Sequence, residues 1–448
     1  MSGQEKQLVE ELAQIARSTM EGALRRGADG VRARAAASRA AKLVYRDGRP
    51  ERVEESARRS VVVHLYCDGR YSSCETNHLE ADALERFLDR AVALARAVEV
   101  DPHRLLPDPS LYEGRDDRDL GLVDPDMGAV TPDDRHRVTA DLDVAVRDAA
   151  GDDEVISVET RYQDGEETLF QVHSNGFEGV HQETQLWGYA NVTLRDRGER
   201  RPSGWGLAGS RLRAALPPAD EVARRALESA RAQLGAEPIE TAQLPVIVEA
   251  RVVGRLLSHL LAALDGRRLQ QRSSFLEGKL GEVIGSERLD IVDDPFVPGG
   301  FGSRTFDAEG LTLRPLPLFE RGRLASTYLD TYYARKLGDR PTTGSSSNVV
   351  VTPGDASLEE LIAGVDRGVL VRGFLGGNSN ATTGDFSLGV HGTLIESGRL
   401  TRAVSEMNMA GNHLELWKRL AAVGRDVYPY SAVRSPSLLF DQVQLAGR

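Results

Sequence analysis

Apolar residues in the first 25 positions recur three or four places apart, and the pattern stops at Gly27. This spacing predicts an amphipathic helix over about 4–25. Short runs of alternating or β-branched residues follow, separated by the pairs Asp47-Gly48 and Asp68-Gly69. Asp-Gly is typical of hairpin turns because glycine tolerates a positive φ. The runs predict strands over 31–38, 41–45, 52–56, 60–66 and 70–75.

The pattern then alternates between helical and extended segments up to about residue 235. A stretch rich in Asp, Pro and Gly, 101–132, shows little periodicity, so we predict an irregular segment there. Antiparallel sheet with helices is expected over 1–235, as an N-terminal α+β domain. Its further predicted elements are helices over 80–98, 132–149 and 217–234 and strands over 155–163, 166–174 and 178–195.

Beyond residue 235 the chain changes character to a series of strands punctuated by glycine. We expect 236–448 to form a β-rich C-terminal domain with peripheral helices. The fold class predicted for the whole chain is therefore α+β. The segments that lead to this prediction are a strand over 245–250, an apolar helix over 252–264, and strands over 349–352, 368–374, 386–395 and 399–407.

Composition narrows the classes of function. The formal net charge of the 448 residues is -12, and basic residues are interspersed with acidic ones, which disfavours nonspecific binding to nucleic acid. Only Cys67 and Cys74 are present, so a disulfide framework is not expected. The N-terminus does not resemble a secretion signal, and no segment approaches the ~20 apolar residues of a membrane span. We therefore expect a cytoplasmic protein.

The apolar helix over 252–264 contains His259 and is the natural place to look for a zinc motif. A zinc peptidase helix needs two imidazoles and a carboxylate that accepts a proton from the metal-bound water. Leu260 follows the histidine and Leu264 lies five positions after it, and neither side chain can ligate a metal or accept a proton. A histidine packed in a helix explains the pattern better than a metal ligand. The remaining histidines show no ligand spacing, and we predict no metal site and no catalytic residue in this chain.

A glycine-rich segment, 373–390, is flanked by predicted strands. Small residues allow close approach of another backbone, so the segment could pair with an extended peptide through main-chain groups. A plain hairpin loop explains the same spacing.

Several motifs resemble the TldD/PmbA family. The principal ones are TGDFSLGV at 383–390, VSEM at 404–407 and AGN at 410–412. Further support comes from SSFL at 273–276, FDAEG at 306–310, TYYARKLG at 331–338, RDG at 46–48 and VEES at 53–56.

The resemblance implies one half of a heteromeric protease that cleaves unfolded or extended peptides. One kind of family member has HExxxH and a later cysteine as zinc ligands, whereas this chain has Leu260 and Leu264 in the helix and no cysteine after Cys74. The chain therefore resembles the PmbA (TldE) kind, and zinc is expected in a TldD-like partner. We expect His259 to line the cavity and the substrate backbone to be bound by Asn378, Thr383, Gly384, Asp385, Phe386 and Ser387.

Two other hypotheses stay open. The chain could be an independent peptidase or hydrolase with an unrecognised site. It could also be a noncatalytic peptide-binding protein that serves the maturation of a small peptide.

Overall fold

A computed structural model describes residues 3–447 of the chain. The first half consists of an antiparallel six-stranded sheet with four helices, in the strand order β3-β2-β1-β4-β5-β6. Its elements are α1 (Gly3–Arg25), β1 (Gly30–Arg46), β2 (Arg49–Cys67), β3 (Arg70–Thr76), α2 (Ala81–Ala97), α3 (Pro132–Ala150), β4 (Val155–His173), β5 (Glu178–Leu194), β6 (Ser203–Ser210) and α4 (Ala219–Arg231).

The strands of this sheet are longer than the sequence pattern predicts. The two runs predicted before Asp47 form one strand, β1, and the two after Gly48 form β2. Both predicted Asp-Gly turns are present, with φ of 51° and 75° at Asp47 and Gly48. The exposed half of β2, 49–59, lacks the apolar alternation that normally marks a strand, so hydropathy gave no signal of its continuity. Strand β6 was not predicted, because its glycines and small residues resemble a loop.

Two pairs of helices cover different parts of the sheet. Helices α1 and α2 pack against β1, β2 and the end of β4, in a core that includes Leu12, Leu65 and Leu88. Helices α3 and α4 pack against β5 and β6 in a second core. Gly204 permits this second contact, since a Cβ there would lie 2.1 Å from the backbone nitrogen of Ala230 on α4.

The second half is β-rich, and the predicted α+β class is confirmed. The predicted boundary between 235 and 236 lies between α4 and β7 and stays a prediction. The elements are β7 (Ala242–Val248), α5 (Ala250–Ala263), α6 (Gly266–Gln270), β8 (Ile291–Asp294), β9 (Leu316–Glu320), β10 (Arg323–Leu324), α7 (Thr331–Leu337), β11 (Asn348–Val351), α8 (Leu358–Ala363), β12 (Arg367–Ser379), β13 (Asp385–Glu396), β14 (Arg399–Asn412), α9 (His413–Leu416), β15 (Leu420–Val423), β16 (Val433–Arg434) and β17 (Leu438–Ala446).

These strands form two sheets that share one large core. A small sheet has the order β10-β9-β8-β11-β16, and a larger one has the order β14-β13-β12-β7-β17-β15. An additional pairing between β14 and β17 closes five strands into a ring. Helix α5 packs its apolar face into the core that both sheets line, with Leu256, Leu257 and Leu260 fully buried. Helix α8 packs on Ile247 and Leu370 in a separate cluster.

The irregular segment predicted at 101–132 connects the two halves through specific contacts. Tyr332 on α7 donates a hydrogen bond to Asp101 at 2.8 Å. Arg335, one turn further on, donates to the carbonyl oxygens of Leu105 and Leu106 at 2.9 and 2.8 Å. The segment contains only short 3-10 turns, in agreement with its composition. The half-buried Arg335 thus gives two backbone carbonyls of this segment the hydrogen bonds that a helix or strand would otherwise provide.

Candidate functional site

The main feature of the glycine-rich segment is an unpaired strand edge. Strand β7 runs parallel to β12 and pairs with it only at Val369, Leu370 and Val371. The amide of Glu249 then donates to the carbonyl of Val371 at 3.0 Å, and the chain turns away into α5. Within residues 3–447, no strand pairs with this side of β12 over 372–379. Residues 375–378 of this edge are exposed, and an unpaired edge offers main-chain donors and acceptors to an added strand.

Helix α5 runs beside this free edge. At its start, Glu249 lies 4.0 Å from Arg372 on β12. Ten residues later, the ring of His259 is next to that of His413, whose Nε2 is 3.1 Å from the hydroxyl of Ser379 at the end of β12. The helix therefore lies beside the strand edge from Arg372 to Ser379, and we call the region between them the groove.

His259 is half-buried at the margin of the apolar face of α5, next to the positions of the buried Val252 and Ala263. Its pKa is lowered, chiefly by burial and also by the charge of Arg255. Leu260 and Leu264 are fully buried in the core. Neither leucine side chain can ligate a metal or accept a proton, so α5 supplies one potential ligand, the imidazole of His259.

The structure adds a second imidazole that sequence spacing did not reveal. His413 begins α9 and is completely buried, with its ring centroid 5.6 Å from that of His259. It stacks on Phe275 at 5.5 Å and packs against Phe386 at 4.9 Å. Burial lowers the pKa of His413 to about 4, so the ring is neutral at physiological pH.

The two imidazoles do not make a metal centre in this chain. Among residues 3–447, no group of three or more His, Cys, Asp or Glu side chains is arranged to hold a metal ion. A structural or catalytic zinc site takes at least three protein ligands. The donor set around His259 and His413 therefore does not fit a resident zinc ion.

Three of the predicted substrate-binding residues belong to the turn between β12 and β13. Thr383 donates through its hydroxyl to Asp385 at 2.7 Å, and Asn412 donates to the same carboxylate at 2.9 Å. These bonds, that from Asn412 first, hold the pKa of Asp385 below its ordinary value. The carbonyl of Gly384 accepts from the amide of His413 at 2.8 Å. The turn thus fixes the end of β14 and positions His413.

The other three predicted substrate-binding residues, Asn378, Phe386 and Ser387, differ in solvent exposure. Phe386 is buried against His413. Asn378 and Ser387 are exposed and stand opposite each other on β12 and β13. Strand β13 lies between β12 and β14, so the backbones of Phe386 and Ser387 face a strand on both sides. Main-chain groups for a peptide are therefore available on β12, while β13 offers the side chain of Ser387. The predicted peptide-binding role of all six residues stays a prediction.

Glycine shapes this edge at Gly377. Its φ is 109°, a conformation that L side chains rarely adopt, and an added Cβ would lie 2.1 Å from the carbonyl oxygen of Ser387. Leu375, the extra residue of a bulge in β12, is 59% exposed. The free edge thus combines accessible backbone with an exposed apolar side chain.

No helix in the described part of the chain is long and apolar enough to cross a membrane. Cys67 is buried and Cys74 half-buried, and both are free thiols.

Comparison with known proteins assigns the chain to a family. Three family models match: PmbA/TldA metallopeptidase domain 1 over residues 31–95, the central domain over 126–234 and the C-terminal domain over 241–447. Metalloprotease PmbA of Escherichia coli O157:H7 is 27% identical over 416 residues, 90% of this chain and 89% of that protein.

Solved structures agree with this result. A candidate modulator of DNA gyrase from Bacteroides thetaiotaomicron is similar with a TM-score of 0.94 at 38% identity, over 98% of this chain and 99% of that chain. TldE from Thermococcus kodakarensis gives a TM-score of 0.85 at 21% identity, over 97% and 100%, which shows a common fold. Together with the three matching domain models, these similarities show that the chain belongs to the PmbA/TldD family of metalloproteases.

Proposed function

We propose that this chain is the non-metal, PmbA/TldE-like subunit of a heteromeric TldD/TldE-type metalloprotease that cleaves unfolded or extended peptides. In this proposal the zinc ion is held by a TldD-like partner, and this chain contributes part of the cavity and binds substrate backbone. The cytoplasmic location predicted from the sequence is part of the same proposal.

The principal support is the set of side chains on α5. The helix has one imidazole, that of His259, while the positions of the other motif residues are held by Leu260 and Leu264, which are buried in the core. Activation of water requires a metal with several ligands and a base. Because the described residues do not fit this donor set, the chemistry is assigned to the partner.

The free edge of β12 supports the choice of an extended peptide as substrate. Main-chain pairing binds a strand without regard to most of its side chains. A folded protein has few unpaired strands to offer, whereas an unfolded one has many. Asn378 and Ser387 are exposed beside this edge and are available for polar contacts with the peptide.

The proposal is tested by coexpression with a TldD-type chain that contains HExxxH. We expect copurification, zinc in the partner, and cleavage of a disordered peptide only by the complex. Replacing the partner's motif glutamate with glutamine should abolish cleavage, whereas H259Q in this chain should leave zinc content unchanged. Stoichiometric zinc in this chain alone, or failure of the two chains to associate, would contradict the proposal.

An independent hydrolase is a second candidate because of one observation, the 3.1 Å contact between the hydroxyl of Ser379 and Nε2 of His413. A serine nucleophile needs a histidine base that is itself oriented by a third group. Among the described residues, Nδ1 of His413 is buried without such a partner, and burial lowers the pKa of the ring to about 4, which weakens it as a base.

The two candidates differ in what the purified single chain does. If it is a hydrolase, it cleaves a disordered peptide without any partner, and S379A removes that activity. If it is the non-metal subunit, it does not cleave alone, and S379A leaves cleavage by the complex largely intact. Peptide binding without cleavage in either state would favour the noncatalytic role in peptide maturation.

A further inference from the structure

A cluster of charged side chains lies where β7 passes into α5. Glu249 precedes the helix, and Nε of Arg251 in its first turn is 2.8 Å from the Glu249 carboxylate. Arg372 on β12 lies 4.0 Å from the same carboxylate. His391 on β13 stands opposite Gly373, where an added Cβ would be 2.0 Å from the imidazole Nε2. The missing side chain at Gly373 therefore makes room for this ring in the cluster.

The cluster has an unusual number of unsatisfied polar atoms. Within residues 3–447, Oε2 of Glu249, Nε of Arg251, Nε of Arg372 and Nδ1 of His391 are all buried without a hydrogen-bond partner. The 2.8 Å contact between Arg251 and Glu249 is an ion pair whose Nε–H is not aligned as a hydrogen bond. Buried polar groups are normally paired, so a bound species that pairs with these four atoms would be stabilised here.

The charge of the cluster selects the sign of that species. Two guanidinium groups, those of Arg251 and Arg372, face one carboxylate, that of Glu249. Burial, together with both arginines, lowers the pKa of His391 to about 4, so its ring is neutral. The net charge is positive, and an anion is favoured. The side chains of Glu249, Arg251 and Arg372 are 19%, 12% and 21% exposed, so the cluster is reachable from solvent.

Its position on the strand edge indicates which anion. The free edge of β12 begins at Arg372, because β7 pairs as far as Val371 and the amide of Glu249 occupies the Val371 carbonyl. A peptide strand on this edge must therefore end at the cluster. Arg372 has no Cα partner on β13 and is the extra residue of a bulge. Such bulges redirect a side chain at binding sites.

We propose that Arg372, with Arg251 and His391, binds the terminal carboxylate of an extended peptide lying along the free edge of β12. The amide nitrogen of the peptide's last residue is placed to donate to Glu249. This inference rests on the proposed peptide-binding function. It adds to that function a preference for substrates with a free C-terminus and fixes the direction of the bound chain.

The test uses the purified full-length chain and a fluorescently labelled disordered peptide in three forms. One has a free terminal carboxylate, one is amidated, and one is amidated with glutamate as its last residue. Fluorescence anisotropy gives the three dissociation constants for the wild type and for R372Q, R372K and R367Q. Arg367 is the matched control, since it lies exposed on the same strand before the paired residues.

For the wild type we expect the free carboxylate to bind about ten-fold more tightly than the amidated form, as a charge-assisted hydrogen bond provides. R372Q should bring this ratio close to one, R372K should keep part of it, and R367Q should keep all of it. The wild-type ratio is informative even if R372Q does not fold.

Three results would overturn the inference. Equal binding of the free and amidated forms by the wild type would show that the chain has no site for a terminal carboxylate, while the proposed peptide binding would still hold. Equally tight binding of the form ending in glutamate would assign the site to a side-chain carboxylate. Failure to bind any form would contradict the proposed function as well.

Discussion

His259 and His413 lie with their ring centroids 5.6 Å apart in a T-shaped contact, although one is on α5 and the other begins α9. The contact places two neutral imidazoles between the free edge of β12 and the large core. Burial of His413 is complete, and its neighbours are mostly aromatic. Its surroundings therefore oppose protonation, which has a measurable consequence for stability.

The folded chain should lose stability on acidification because of His413. Burial and the neighbouring His259 lower the pKa of His413 to about 4, from an ordinary value of 6.5. Unfolding therefore takes up a proton between these values, and the contribution of this group is full above about pH 6.5 and lost as the pH falls toward 4. The slope is at most about 1.4 kcal/mol per pH unit. Urea unfolding of the wild type and H413Q across this range measures it.

The difference in unfolding free energy between the wild type and H413Q reports on His413 alone. Burial raises the pKa of Asp293 to about 7, which acts in the opposite direction over the same range but is common to both. H78Q, at an exposed position, should behave as the wild type. Parallel stability curves for the wild type and H413Q would contradict the prediction.

G373A should destabilise the protein, because the new Cβ would lie 2.0 Å from Nε2 of His391. Overpacking of this kind costs about 1–3 kcal/mol. The double variant G373A/H391A should lose less than the sum of the single losses, since the ring that causes the clash is gone. Chemical denaturation gives all three values. G254A is the control, as no neighbouring atom lies within 4 Å of its Cβ and alanine in a helix stabilises by about 0.5–1 kcal/mol.

R135A should be among the most damaging substitutions in the first half. Arg135 on α3 donates two hydrogen bonds to Asp164 on β4, at 2.6 and 3.1 Å, and both side chains are 4% exposed. Removal of one partner leaves a buried charge and costs about 3–5 kcal/mol. R321A, which breaks an exposed pair with Glu287, should cost about 0–1 kcal/mol. Thermal and urea unfolding give the stability of both variants. Equal losses of stability would contradict the prediction that the buried pair between Arg135 and Asp164 contributes more than the exposed one.

L375S should weaken peptide binding without affecting the fold. Leu375 is 59% exposed beside the free edge of β12, so its loss changes stability by about 0.5 kcal/mol or less. A peptide that covers it would lose roughly five- to ten-fold in affinity through reduced apolar contact. Anisotropy with a labelled disordered peptide measures this. The control L400S changes an exposed leucine on β14 and should bind the peptide as tightly as the wild type. An equal loss of affinity in both variants would show that Leu375 is not part of the binding surface.

Part of the groove could be predicted from the sequence. The glycines of 373–390 indicated close backbone approach, and the family resemblance led us to expect His259 in the cavity. The substrate backbone was expected to bind near Thr383, whereas the unpaired backbone lies on β12 before that residue. Whether a strand is an edge depends on where its neighbour stops, and β7 stops at Val248 because the chain enters α5.

Other features had no local signal. His413 and Ser379 are far apart in the chain and follow no motif, so their 3.1 Å contact could not be read from spacing. The same holds for Arg372, whose neighbours Glu249 and His391 come from different elements. The unpaired polar atoms of this cluster are visible only when all three strands and the helix are in place.

The sequence by itself determined most elements of the first half, the Asp-Gly hairpin turns, the α+β class and the family, because these depend on periodicity and on residues close together in the chain. It also determined that α5 has one histidine followed by Leu260. Tertiary structure alone decided which strand edge is free, that His413 contacts His259, and that Arg251 and Arg372 meet at Glu249. Those relations arise from contacts between distant segments, and packing fixes them only after the sheets and helices have formed.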